Sequence, residues 1–411
     1  MAVKRYDGYR SFAYLGEAER RLELADEEAI SQRVTLTPEQ RRRLEGIVDL
    51  GLVISLRDHG FVLPAHQGEI LDYCRQPRTA YAYRGLALSG VDVLFDSFMD
   101  SLAFFSSGRQ VTWHDLLTNL GMRYCDLAHQ DTVVVARGLE DFWRAKRSRQ
   151  VAVVPCLEMP DPIEGDLDRL DVLYGFGIRC MGLTYNHANA FGGGCADPVD
   201  QGLTALGRQA VRRLNRLGIA IDLAHCGEKT SLQAIEASEQ PVLMSHVGAR
   251  RLWDVPRLKS DAVLKACAEA GGVVGIMAAP FTTQVTGQPH TIEAVMAHFE
   301  YVANLVGIEH VALGPDTLFG DHVALQRVFD AHLGLSATHE VPKSGFSGVL
   351  GMENPREAMQ NALAWLVSHG YSDQEIAGVA GANVIRALRR IWLEIQPSEN
   401  RAIESSENPL L

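Results

Sequence analysis

Apolar positions along the chain follow two periods. Short apolar runs bounded by turn residues alternate with longer stretches whose apolar positions recur every three to four residues. The clearest unit is 219–257, where IAIDLAH and PVLMSH flank GEKTSLQAIEASEQ, an amphipathic helical pattern. A strand–helix–strand order makes the two strands parallel neighbours. Both strands end in a histidine, His225 and His246. Their backbones then lie roughly 5 Å apart at equivalent carboxyl ends. A lone histidine there is more often a core or loop residue; two in phase are placed to hold one metal ion.

The same reading extends along the chain. Further strands are predicted at 52–60, 90–98, 150–158, 178–186, 271–280 and 310–316, each running into polar residues. Residues 1–45 read as an N-terminal helical extension, with Thr37 capping a helix that has Pro38 in its first turn. A long helical region, WHDLLTNLGMRYCDLAHQ and then VARGLEDFWRAKRS, separates the second strand from the third. Residues 317–353 are predicted as a long lid-like loop, followed by two helices up to about 396 and a disordered tail at 397–411. Eight strands separated mostly by helices match an α/β fold, a (β/α)8 TIM barrel over 46–396 with its site at the strands' carboxyl ends. An open doubly wound sheet is the alternative. Closure is favoured because the polar ends belong to strands one, three, five, six and eight, which only closure brings together.

Composition narrows the partners. A net charge of −12 argues against nucleic acid or an anionic membrane surface, while leaving a small anionic substrate open. No apolar run of about 18 residues occurs, and the start, MAVKRYDGYRSF, lacks a signal peptide's apolar core. Seven cysteines without a CxxC pair suit reduced thiols in a cytoplasmic protein.

The polar residues at the predicted strand ends are Arg57, Asp58 and His59, then Glu158, Tyr185, His225, His246 and Asp316. A carboxylate with two histidines is a common catalytic zinc set that leaves a position open for water. An aspartate on the last strand can take that water's proton. Each residue alone reads as structural, Glu158 as a helix-start carboxylate and Asp316 as a turn residue. Their shared location is the signal.

Over about 50–395 the chain resembles the membrane (renal) dipeptidase family, a branch of the amidohydrolase barrels. The match is strongest in GLTALGRQAVRRLNRLGIAIDLAHC and PVLMSHVGAR, followed by RLKSDAV and ALGPD. The resemblance implies that Glu158, 27 residues before Tyr185, is the bridging glutamate and that His225 and His246 are paired ligands. It implies that Arg257, 11 residues after His246, binds a substrate carboxylate and that Asp316 accepts the attacking water's proton. Family members often dimerise, which is the ground for expecting a homodimer.

Two positions depart from the family. Its first strand ends in His-x-Asp, which ligates one of two zinc ions, where this chain has Arg57-Asp58-His59. His59 can replace the aspartate. Arg57 cannot replace the histidine, because guanidinium has no lone pair. Pointing inward, it repels a dication about 4 Å away by roughly 8 kcal/mol at an effective dielectric near 20. One ion is therefore expected to bind tightly and a second weakly or not at all. The alternative is an Arg57 that turns outward onto a carboxylate. The second departure is Tyr185, where the family has a histidine on the scissile carbonyl. Its hydroxyl can donate to an oxyanion, or simply pack against a loop carbonyl. His322, beside Asp321 on the predicted lid, and Arg57 itself are further candidates for touching substrate. The expectation is a zinc-dependent hydrolase cleaving an amide bond in a dipeptide or N-acyl amino acid. The alternatives are a barrel enzyme of changed chemistry and a degenerate ligand-binding relative.

Overall fold

The computed structural model describes residues 3–16, 22–98, 111–338 and 348–392. Among them are nine parallel strands: β1 Ile54–Ser55, β2 Val93–Ser97, β3 Val133–Val135, β4 Val151–Leu157, β5 Cys180–Gly182, β6 Ala220–Asp222, β7 Leu243–Val247, β8 Val273–Ile276 and β9 Val311–Leu313. Eight of them pair in the order β1-β2-β4-β5-β6-β7-β8-β9. The Leu56 amide donates to the Leu313 carbonyl at 2.9 Å, which carries the last strand back to the first. This is the (β/α)8 barrel, and the open-sheet alternative is excluded because its outer strands would not meet.

Helix starts follow local chemistry. Thr37, Thr112, Thr204, Ser260 and Ser372 each accept a backbone N–H in the first turn of the helix they precede. The helix Pro38–Leu50 buries Leu44, Ile47 and Val48, one apolar stripe.

Three expectations are corrected. Val133–Val135 is a strand where helix was expected: it pairs with the first three residues of β4, and β5 takes the last two. Three consecutive valines favour extended backbone, which overrides the helical period that follows. The 317–353 segment contains a helix, His322–Leu333, started by the Asp321 side chain accepting the Ala324 amide at 2.8 Å. Among the described residues before Pro38 the N-terminal extension is mainly irregular, apart from a short turn of helix at Ala13–Leu15. The 397–411 tail lies outside the described residues.

The pairing of β7 with β8 shifts register between Met244 and Val247. This irregularity holds Ser245 and His246 and turns their side chains relative to the ladder. Glycine permits it: a Cβ on Gly314 would stand 1.9 Å from the Ser245 carbonyl oxygen.

One packing feature predicts a pH dependence. His298 is fully buried, its Nδ1 accepting from the Ala249 amide at 3.0 Å and its Nε2–H donating to the Gln284 carbonyl at 2.9 Å. Burial pushes its pKa down to about 4. Between the unfolded value near 6.5 and this folded value the unfolded chain binds the extra proton, so stability falls as pH falls through that window. From pH 7 to pH 5 the loss from this side chain is roughly 2 kcal/mol. Urea unfolding of the wild type and His298→Gln checks it; the variant's stability should vary less between those pH values, and an equal slope would assign the effect elsewhere.

Candidate active site

The carboxyl ends of the strands bring Glu158, His225 and His246 together. One ligand atom from each lies within 4.8 Å of the others. His225 Nε2 is 3.0 Å from His246 Nε2 and 3.2 Å from Glu158 Oε2. Donors at about 2.0 Å around a tetrahedral ion are separated by roughly 3.3 Å, so the spacing fits one zinc-sized cation.

Protonation supports the same reading. His225 Nδ1 lies 2.8 Å from the Asn186 side-chain oxygen and therefore donates to it. His246 Nδ1 is 2.6 Å from Ser245 Oγ, whose own proton goes to Asp222 Oδ2, so this Nδ1 also donates. Both Nε2 atoms thus present lone pairs to each other and to a carboxylate; Arg257 Nη2 donates to His225 Nε2 at 3.3 Å, and a cation between the three groups would relieve the repulsion that remains. Burial first, then the Arg257 charge, pushes His225 down to about 4 and His246 well below the histidine range. Burial alone would raise Glu158, but Arg57 and then His225 outweigh it and hold this carboxyl well below its ordinary value. All three groups are therefore in their metal-binding forms at neutral pH.

Arg57 points into the barrel and is about 1% exposed. Its Nη2 is 3.5 Å from Asp222 Oδ2, and Nε and Nη1 have no hydrogen-bond partner among the described residues. Its surroundings are the Glu158 and Asp222 carboxylates, with Cys156 and Cys180 beside them. Burial opposes its charge, and these groups, Glu158 foremost, more than offset that. The outward placement does not occur, and the carboxylate within ion-pair distance among the described residues is Asp222.

His59 and Asp316 face each other across the β1–β9 seam, with His59 Nε2 3.2 Å from Asp316 Oδ1. The Asp316 amide donates to the Arg57 carbonyl at 2.8 Å, and its backbone is left-handed with φ 60°. Burial would raise Asp316, but the His59 contact outweighs it, so the carboxylate stays ionised. The Tyr185 ring lies 4.4 Å from the His225 ring and tilted by 31° to it, and burial first, then Glu158 and Asp316, keep its hydroxyl protonated. Arg257 is buried; Nη1 donates to the Ala224 carbonyl at 2.8 Å and Nη2 to the His246 carbonyl at 3.1 Å, with Nη2 3.3 Å from His225 Nε2. A pocket of about 40 Å3 between Tyr185, Arg257 and Asp316 is covered by Gln326, Phe329 and Thr338. His322 stands outside this pocket, bonded to Gln326 at 3.2 Å.

The sequence reading missed four supporting residues. Asn186, Asp222 and Ser245 fix the histidine tautomers. Asp96, at the end of β2, accepts the Gly60 amide at 3.1 Å, with Oδ1 3.9 Å from His59 Nδ1. The available signal was a charged or hydroxyl residue inside an apolar strand run, as in IAIDLAH, PVLMSH and VDVLFDS.

A parallel barrel with a carboxylate–histidine–histidine set on its carboxyl rim defines a class of metal-site barrels. Within that class the chain belongs to the membrane dipeptidase family (peptidase family M19), whose family model matches residues 116–329. It is 28% identical to the dipeptidase tcpJ of Claviceps purpurea over 265 residues, 64% of this chain and 56% of that protein. It is 32% identical to an uncharacterised dipeptidase of Schizosaccharomyces pombe over 230 residues, 55% and 50% of the two chains. The chain thus spans about half the length of these relatives. In structure it is similar to an amidohydrolase from Pseudomonas aeruginosa, with a TM-score of 0.68, 24% identity and coverage of 85% of this chain and 99% of that one. No helix among the described residues is long and apolar enough to cross a membrane.

Proposed function

We propose that the protein is a hydrolase of dipeptidase type, dependent on one tightly held divalent ion and cleaving an amide bond in a small substrate that carries a carboxylate. The observation that carries this reading is the pair of imidazole lone pairs meeting at 3.0 Å beside Glu158 in a chain of this family. A divalent ion there, zinc by donor type, would polarise a carbonyl and acidify water. Asp316 Oδ1, ionised and oriented by His59, takes the proton of the attacking water and returns it to the leaving amine. The Tyr185 hydroxyl donates to the oxygen that gains charge. Arg257, anchored by two strand-end carbonyls, presents its positive charge to the substrate carboxylate. The buried Arg57 supplies fixed charge where relatives with His-x-Asp would hold a second ion. The seven free cysteines support a reducing, cytoplasmic setting.

Turnover of dipeptides and N-acyl amino acids by protein loaded with zinc, manganese or cobalt tests this function. Hydrolysis should require the metal, and Arg257→Lys should lower kcat/KM for free-carboxylate substrates about tenfold or more while affecting their C-terminal amides much less. A metal-loaded protein that cleaves none of the panel would refute the hydrolytic reading.

A further inference from the structure

A second cavity, about 320 Å3, lies beside the pocket just described. Successive residues after β8 separate the two, Ala278 lining the larger and Ala279 the smaller, and the His322–Gln326 pair forms the partition. The larger cavity is of the size that holds a small ligand group. Val323, Val349, Met352 and Pro280 give it apolar walls, and Asp321 and Glu353 make its polar end. No lysine or arginine lines it among the described residues.

The two carboxylates differ. Asp321 is committed, Oδ1 to the Ala324 amide and Oδ2 to the Gln67 side chain. Glu353 uses only its backbone N–H, which donates to Glu357 at 3.0 Å; no donor among the described residues reaches its carboxylate. Burial, then the like charges of Glu357 and Asp321, raise its pKa. In the partition, His322 Nδ1 and Gln326 Oε1 have no hydrogen-bond partner among the described residues, on side chains 8% and 7% exposed. Apolar side chains leading to a half-buried carboxylate that no cation pairs among the described residues suit an aliphatic chain ending in an amine.

We infer that this cavity is a subsite for an aliphatic ammonium side chain of the substrate, held by Glu353 and admitted past Gln326 and His322. That the ammonium group belongs to a substrate rests on the hydrolytic reading; the subsite itself rests on the cavity.

Kinetics and direct binding test it separately. With zinc-loaded wild type, kcat/KM for a dipeptide containing lysine should exceed that for its norleucine counterpart. Glu353→Gln should reduce that ratio at least about tenfold, through the lysine substrate alone. An unchanged ratio overturns the proposal. Pentylamine and pentanol, titrated calorimetrically into zinc-loaded wild type and Glu353→Gln, read the site without turnover. Pentylamine should bind the wild type, weaken about tenfold or more in the variant, and outcompete pentanol; equal binding of amine and alcohol refutes the subsite. Pentylamine that raises KM only for the lysine substrate marks a substrate subsite. Pentylamine that changes kcat for the norleucine substrate marks an effector site and overturns the assignment to substrate. Glu353-dependent amine binding in a protein that hydrolyses no dipeptide keeps the subsite and removes only the proposed reaction.

Discussion

Replacing His246 with alanine is expected to strip the protein of its divalent ion and of its activity while leaving the barrel folded. If three or four ligands share the roughly 10–16 kcal/mol typical of a tight zinc site, losing one costs about 3–4 kcal/mol. That is about a thousandfold in affinity. The fold should survive because the side chain's contacts are polar and local: Ser245 Oγ at 2.6 Å and His225 Nε2 at 3.0 Å. Removing one of two abutting lone pairs even relieves repulsion in the metal-free chain. His225→Ala should behave alike, with the added loss of its hydrogen bond to Asn186. Elemental analysis after dialysis, beside a circular dichroism melt, checks both. Full metal occupancy in either variant would mean that the ion sits elsewhere.

The second large effect concerns Arg57. Arg57→His is expected to raise the number of tightly bound ions from one towards two, because it removes a buried positive charge and supplies a nitrogen donor two residues from His59. Asp316, 3.2 Å from His59, and Glu158 already stand on that side with oxygen donors. Hydrolysis of simple dipeptides should rise with stoichiometry unless Tyr185 limits it. Removing one partner of a buried ion pair typically costs about 3–5 kcal/mol. Here the loss should fall at the lower end, because Asp222 keeps the Ala224 amide at 3.1 Å, the Ser245 amide at 2.9 Å and the Ser245 hydroxyl. Matched zinc loading of both proteins decides the matter. Two tightly held ions in the unmodified chain would show that the guanidinium charge does not exclude the second.

What could be read from the sequence was whatever depended on period and strand-end identity. The runs ending at His225 and His246 fall on β6 and β7, and Glu158 follows β4 directly. What could not be read depended on contacts distant in sequence. Arg57 has two rotamer choices at a strand end; only the packed barrel shows it directed onto Asp222, 165 residues away. Ser245 and Asp222 look like tolerated polar residues until the bulge in β7 turns one towards the other. The helix at His322–Leu333 was hidden because its N-cap, Asp321, sits in a glycine-rich stretch that reads as a loop rather than as a helix start. The strand at Val133–Val135 was hidden by its shortness.

The seam between β1 and β9 has a consequence for how the protein acquires activity as it folds. Asn186 meets His225 across 39 residues, and His225 meets His246 across 21. His59 meets Asp316 across 257 and Asp58 meets Thr317 across 259. Loop closure costs about 0.6 kcal/mol per doubling of length, so joining the seam costs roughly 2 kcal/mol more entropy than pairing the histidines. Contacts of such long separation form late. On the proposed function, the half that would hold the divalent ion then assembles on a chain whose ends are still apart, and an ion could enter before Asp316 arrives. Under that reading loading precedes competence: the centre would stay chemically silent until the first and last strands meet.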